Sequence, residues 1–317
     1  MKEKQGFTLL ELLIVIGIIA ILSGVMLAQF SGSTDSALAA TCLNNMRTLC
    51  NAVLADGSKE SYYPSAGPYQ YLSEDLQGKK WFQGWIGHSK GDTMVSCYHD
   101  GSDDGEAQHY AITNGTIWRA MSGQQGAYVC PAHTKYCKRN STKTKGCMPS
   151  WSYVMNSYFG WSYNNQVAAD IEMGRRSYSA GSFSVRYSSK PTVRNRPKEK
   201  VLLFAEIPYV ENGVQRPDWS TAAGAANDMI LQYPPSGDDN DKTKKANKPA
   251  AGQSELIGFN HKSGKFYCAH VAFADGHCVK LLLPDRAAED NLKELTTWLC
   301  TGVEYTFNGA QYEKVSE

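Results

Sequence analysis

The chain has 317 residues and a formal net charge of +1, with 32 Lys and Arg set against 31 Asp and Glu. So even a balance excludes a protein that recruits nucleic acid or anionic membrane by net charge. The length admits one large domain or two smaller ones, and nine cysteines signal disulfides if the domain is exported, or metal and catalysis if it is not.

The N-terminus decides between these. Lys2 and Lys4 precede a stretch from Leu9 to Ala28, twenty residues whose one charged member is Glu11. A run of that length is expected to cross roughly 30 Å of hydrocarbon as a helix. The basic residues ahead of it predict a cytoplasmic N-terminus and an exported remainder. A secretory signal places its small-residue cleavage site after the apolar core. Here the small residue, Gly6, lies before it, so a cut there removes the basic leader and keeps the helix. Glu11 is costly in that setting unless it meets a partner. Cleavage after Gly6 creates one: the new α-amino group of Phe7, which Glu11 of a neighbouring subunit would neutralise.

The string Gly6-Phe7-Thr8-Leu9-Leu10-Glu11-Leu12-Leu13-Ile14 resembles the processing site of type IV prepilins and type II secretion pseudopilins. The resemblance covers about the first tenth of the chain. It implies cleavage after Gly6 by a prepilin peptidase, N-methylation of Phe7, and a role for Glu11 in filament assembly.

Beyond the apolar run, Leu38, Cys42, Met46, Leu49 and Val53 recur at spacings of four, four, three and four, one apolar stripe of a helix. The expected division is a leader at 1–6, a transmembrane helix at 7–30, its amphipathic continuation at 31–57 and an exported β-rich globular domain at 58–317. Ser31-Gly32-Ser33 is a candidate bend, and Gly57-Ser58 a stop after Asp56. From Phe7 to Asp56 the helix would span on the order of 75 Å. Cys42 and Cys50, eight residues apart and about 12 Å along the axis, are too distant to bond each other; each is expected to pack as a small apolar side chain, the favoured reading, to reach the globular domain or to link to another subunit.

In the globular part, short runs rich in Tyr, Trp and β-branched residues alternate with Gly, Ser and Pro, the signature of strands and loops. Val201-Leu202-Leu203-Phe204-Ala205, closed by Glu206 and Pro208, is the clearest strand. A polar insertion at 233–255 is expected to be a flexible surface loop. Two apolar runs flank Asp275-Gly276, the dipeptide of two-residue hairpin turns. That turn would set Ala274 against His277 and Phe273 against Cys278. His261, with Asp275 and Gly276, also resembles the H-X9-DG region of a group of prepilin-like proteins, although thirteen residues separate His261 from Asp275 here. Cys130-Pro131, Ser152-Tyr153-Val154-Met155-Asn156 and the strand ending in Glu206 resemble further pieces of that group.

Cys130, His133, Cys137 and Cys147 put four soft or imidazole donors within eighteen residues, a possible tetrahedral zinc set. In an exported domain, a disulfide among the three cysteines is the favoured reading. Asp100 to Glu106 and Gly237 to Asp241 are acidic and suit calcium or plain solvation. Arg175 to Lys200 is basic but lacks an aromatic-interleaved nucleic-acid module. No Ser-His-Asp or Cys-His spacing stands out, so no enzyme activity is expected.

These readings converge on an α+β, pilin-like structural subunit of a type IV pilus-like or type II secretion pseudopilus filament. Its expected partners are copies of itself or related subunits, a prepilin peptidase and the bacterial inner membrane, with the domain periplasmic or on a filament; no nucleic acid is expected. The alternative is a membrane-anchored display module that holds extracellular polysaccharide on exposed aromatics, of which seven Trp and eighteen Tyr offer a supply.

Overall fold

The computed structural model describes residues 9–60, 63–64, 66–67, 69–73, 78–88, 90, 97–99, 105–139, 146–156, 159, 178–180, 183–185, 197–208, 229–231, 256–283 and 289–315. The insertion at 233–255, the acidic segment 237–241 and most of the basic segment 175–200 lie outside them, as do Gly6 and Phe7.

Helix α1, Leu9–Glu60, is a single 52-residue element. It passes through Ser31-Gly32-Ser33 without a break and runs four residues past Asp56. Gly in a helix costs only about 1 kcal/mol relative to Ala, too little to break so long an element. The stripe is as expected: Cys42, Met46, Leu49 and Val53 are fully buried and Leu38 is half-buried. Each of the larger members contributes about 1.5–3 kcal/mol by leaving water. The N-terminal turns differ, because every described side chain from Leu9 to Leu22 is exposed. Among the described residues no helix is long and apolar enough to cross a membrane. The expected span at 7–30 is therefore not reproduced among them.

The remainder is β-rich. Among the described residues there are four two-stranded ribbons: β1 (Tyr69–Ser73) with β2 (Gly78–Phe82), β3 (Tyr98–His99) with β4 (Met148–Pro149), β6 (Tyr178–Ala180) with β7 (Phe183–Val185), and β13 (Tyr305–Phe307) with β14 (Tyr312–Lys314). Helices α2 (Glu106–Asn114) and α3 (Pro131–Arg139) lie between β3 and β4 in sequence, and α4 (Glu289–Thr301) follows the central sheet.

The six-stranded central sheet contains β5 (Tyr153–Asn156), β8 (Leu202–Glu206), β9 (Ile230–Leu231), β10 (His261–Ser263), β11 (Phe266–Phe273) and β12 (Cys278–Leu283). All pairings are antiparallel except β5 with β9. Strand β12 occupies one edge of β11. The other edge is shared end to end, β10 pairing at Phe266–Cys268 and β8 at Val271–Phe273. Every residue of β8 is buried, as a strand covered on both faces requires. The C-terminal half of α1 covers one face. Helix α4 approaches the other, where Asn156 Nδ2 donates to the Cys300 carbonyl at 3.0 Å and to the Leu202 carbonyl at 2.9 Å.

The hairpin differs from expectation by one residue. Ala272 pairs with Cys278, and the Phe273 amide donates to the His277 carbonyl at 2.9 Å, so the loop is Ala274-Asp275-Gly276. Gly276 has φ 95°, the left-handed conformation that closes a three-residue hairpin loop. The Asp275 carboxylate accepts from the His277 amide at 3.1 Å and completes the turn. Because the side-chain period is 2, this slip changes every cross-strand partner: His270 faces Lys280, not Leu281.

Candidate functional site

The sheet register lines up four polar side chains on the face that α1 covers. Tyr153 pairs with Glu206. Beyond Glu206, the β8–β11 register, with Ala205 opposite Val271, brings His270 alongside. His261 pairs with Cys268, two residues along the same edge of β11, and therefore lands on the same face. Above them α1 lowers Cys42, and the N-terminus of α3 brings Cys130. All six side chains are buried.

Glu206 is the hub. Its Oε1 accepts from His270 Nδ1 at 2.6 Å and from the His270 amide at 3.1 Å. Its Oε2 lies 3.1 Å from His261 Nε2 and accepts from Asn260 Nδ2 at 3.1 Å. The Cys42 thiol donates to Oε1 at 3.3 Å and sits 3.1 Å from the Tyr153 hydroxyl. Tyr153 in turn donates to the Cys42 carbonyl at 3.1 Å. Cys130 Sγ is 3.7 Å from His261 Nε2. Donor atoms of Cys42, Cys130, Glu206 and His261 all lie within 4.8 Å of one another.

The charges follow from this geometry. Burial would raise the Glu206 carboxyl, but His261 and His270 beside it hold it below the usual carboxylate range. Burial would depress His261, yet the Glu206 carboxylate overrides it and carries the imidazole up to about 10. Burial pushes the Cys42 thiol up. It acts the same way on Cys130, where hydrogen bonds from Cys42 and His261 win and bring that thiol down to about 6. The apolar interior thus holds two sulfurs, a carboxylate and an imidazole, a donor set with affinity for a borderline-soft divalent ion.

The sequence-predicted residues separate. Of the set Cys130, His133, Cys137 and Cys147, only Cys130 joins the cluster. His133 Nδ1 lies 2.9 Å from Ser152 Oγ and Nε2 lies 3.1 Å from the Tyr98 hydroxyl, while Cys137 has Cys147 as its neighbour. Nearness in sequence on and after α3 fans these side chains apart instead of converging them. None of the nine cysteines is in a disulfide, so the expected bridge among Cys130, Cys137 and Cys147 is not formed. Cys42 and Cys50 do more than pack: Cys42 enters the polar cluster, and Cys50 is hydrogen-bonded to Cys278.

The H-X9-DG residues also part company. His261 is buried in the cluster, whereas Asp275 and Gly276 form the hairpin turn, seven strand positions beyond Cys268 (275 − 268), on the order of 20 Å away. That turn packs on α1, where a Cβ at Gly276 would lie 2.6 Å from Leu54 Cδ1, and the Ala274 carbonyl accepts from the Tyr63 hydroxyl at 2.6 Å. At the other end of α1, Glu11 sits in the first turn among exposed apolar side chains.

The architecture is α+β, a long N-terminal helix buried at one end in a β-rich domain and bare and apolar at the other. Residues 1–27 match the family described as "Prokaryotic N-terminal methylation motif". That N-terminal segment is type IV prepilin- or pseudopilin-like. No curated protein and no solved structure matches it.

Proposed function

We propose that the chain is a structural subunit of a type IV pilus-like or type II secretion pseudopilus filament, acting by assembly and not by turnover. One observation carries this reading: the methylation motif at residues 1–27 opens a helix whose described side chains from Leu9 to Leu22 are all exposed and, Glu11 and Gly17 apart, bulky or apolar. Such a surface needs apolar surroundings. The bilayer supplies them before assembly, and the helices of sister subunits do so afterwards. Prepilin peptidase cuts after Gly6, Phe7 gains its methyl group, and Glu11 neutralises the Phe7 amine of a neighbour.

The polysaccharide-display alternative gains no support, since no described Trp, Tyr or Phe is exposed. The filament reading is tested with Glu11→Ala in the native host. The variant should be cleaved normally yet recovered from membranes and not from sheared filaments. Normal incorporation of the variant would overturn it.

A further inference from the structure

We propose that Cys42, Cys130, Glu206 and His261 bind one zinc ion that fastens the stalk helix to the globular domain. The proposal is independent of the filament reading, because it concerns how this chain holds itself together.

The donor spacing suits a tetrahedral site. With Zn–S near 2.3 Å and Zn–N or Zn–O near 2.0–2.2 Å, the edges of the tetrahedron are about 3.5 Å between sulfur and N or O, and about 3.4 Å between N and O. Two of these separations are 3.7 Å for Cys130 Sγ to His261 Nε2 and 3.1 Å for His261 Nε2 to Glu206 Oε2, and Cys42 Sγ lies 3.3 Å from the other carboxylate oxygen, Oε1. All four donor atoms lie within 4.8 Å of one another, so a small inward shift of side chains sets them in one coordination sphere.

The surroundings are organised to hold those donors. With Glu206 Oε2 facing the ion, Oε1 is kept by the His270 imidazole and amide at 2.6 and 3.1 Å, and Asn260 donates to the ligating oxygen. Partners of this kind orient ligating carboxylates in metalloproteins. The Tyr153 hydroxyl, 3.1 Å from both Cys42 Sγ and the Cys42 carbonyl, would turn its one proton from the carbonyl to a thiolate. Four protein donors with the residues fully buried leave no position for substrate, so the site is structural. Its ligands come from α1, the start of α3, the end of β8 and the start of β10. The ion therefore ties together four segments remote in sequence, the stalk among them.

The test is metal analysis of the purified full chain, prepared anaerobically and supplied with zinc alone. It should hold one zinc per chain. X-ray absorption should show two sulfur neighbours at about 2.3 Å and two N or O neighbours at about 2.0 Å. Chelation should lower Tm by about 5 °C or more, as loss of a tightly bound ion requires. Cys130→Ser should lose the zinc, while Cys50→Ser, two turns further along α1, should keep it. If Cys130→Ser fails to fold, the sulfur count on the unaltered chain still decides. Zinc absent under these conditions, a shell with no sulfur or four, or a Cys42–Cys130 disulfide found by non-reducing peptide mapping would each overturn the proposal.

Discussion

Glu206 and His270 meet across adjacent strands deep in the protein, His270 Nδ1 lying 2.6 Å from a carboxylate oxygen that is wholly shut off from water. A buried carboxylate survives only when its lone pairs are met, and here β11 and the start of β10 supply the donors. Removing the carboxylate leaves two imidazoles facing an apolar gap. Glu206→Ala should cost about 3–5 kcal/mol, the usual penalty for breaking a buried ionic cluster. Denaturant unfolding of the full chain measures this, and a loss below about 1 kcal/mol would show that the cluster is dispensable.

His133 sets a pH dependence. Burial drives its imidazole down to about 3, whereas an unfolded histidine titrates near 6.5. The folded value is the depressed one, so the stability is fully present above about 6.5 and is lost as pH falls toward 3, by at most about 1.4 kcal/mol per pH unit. Wild-type protein should lose more stability between pH 7 and pH 5 than His133→Asn does. Equal losses would mean that His133 is not held neutral.

Gly276 carries two constraints at once, a φ of 95° and the approach of Leu54 Cδ1 to the position of a Cβ. Gly276→Ala should cost about 1–3 kcal/mol. In a Leu54→Ala background part of that cost should vanish, because the contact is gone, and part should persist, because the backbone strain remains. A double-mutant cycle by thermal unfolding separates the two. A coupling of zero would place the helix away from the turn.

The two ends of α1 should answer differently to substitution. Leu49→Ala removes a fully buried side chain and should cost about 2–5 kcal/mol. Leu13→Ser alters an exposed one and should change domain stability by no more than about 0.5 kcal/mol, while lowering recovery of the subunit in filaments. Equal effects of the two substitutions on Tm would contradict the division of the helix into a packed and a bare half.

Local patterns carried much of the fold. The stripe from Leu38 to Val53 follows from helical periodicity, and the run from Leu202 to Glu206 follows from a strand buried on both faces. The hairpin was legible in existence but not in register. Asp275-Gly276 fits both a two-residue turn and the last two positions of a three-residue loop, and only contact with Leu54 and Tyr63 selects the latter. The cluster was not legible as a unit. Glu206 and His261 become neighbours because β10 and β8 share one edge of β11, and Cys42 and Cys130 reach them from α1 and the start of α3, a non-local arrangement. An acidic residue closing an otherwise apolar strand, and His270 within an apolar run, were the local signs that such a site existed.

The most direct test of the central claim is intact mass with N-terminal sequencing of the chain recovered from its native membrane, in cells with active prepilin peptidase. A chain beginning at N-methylated Phe7 is the predicted result. A chain that still carries Met1 to Gly6 would contradict the account and leave a domain that does not enter the pilin pathway.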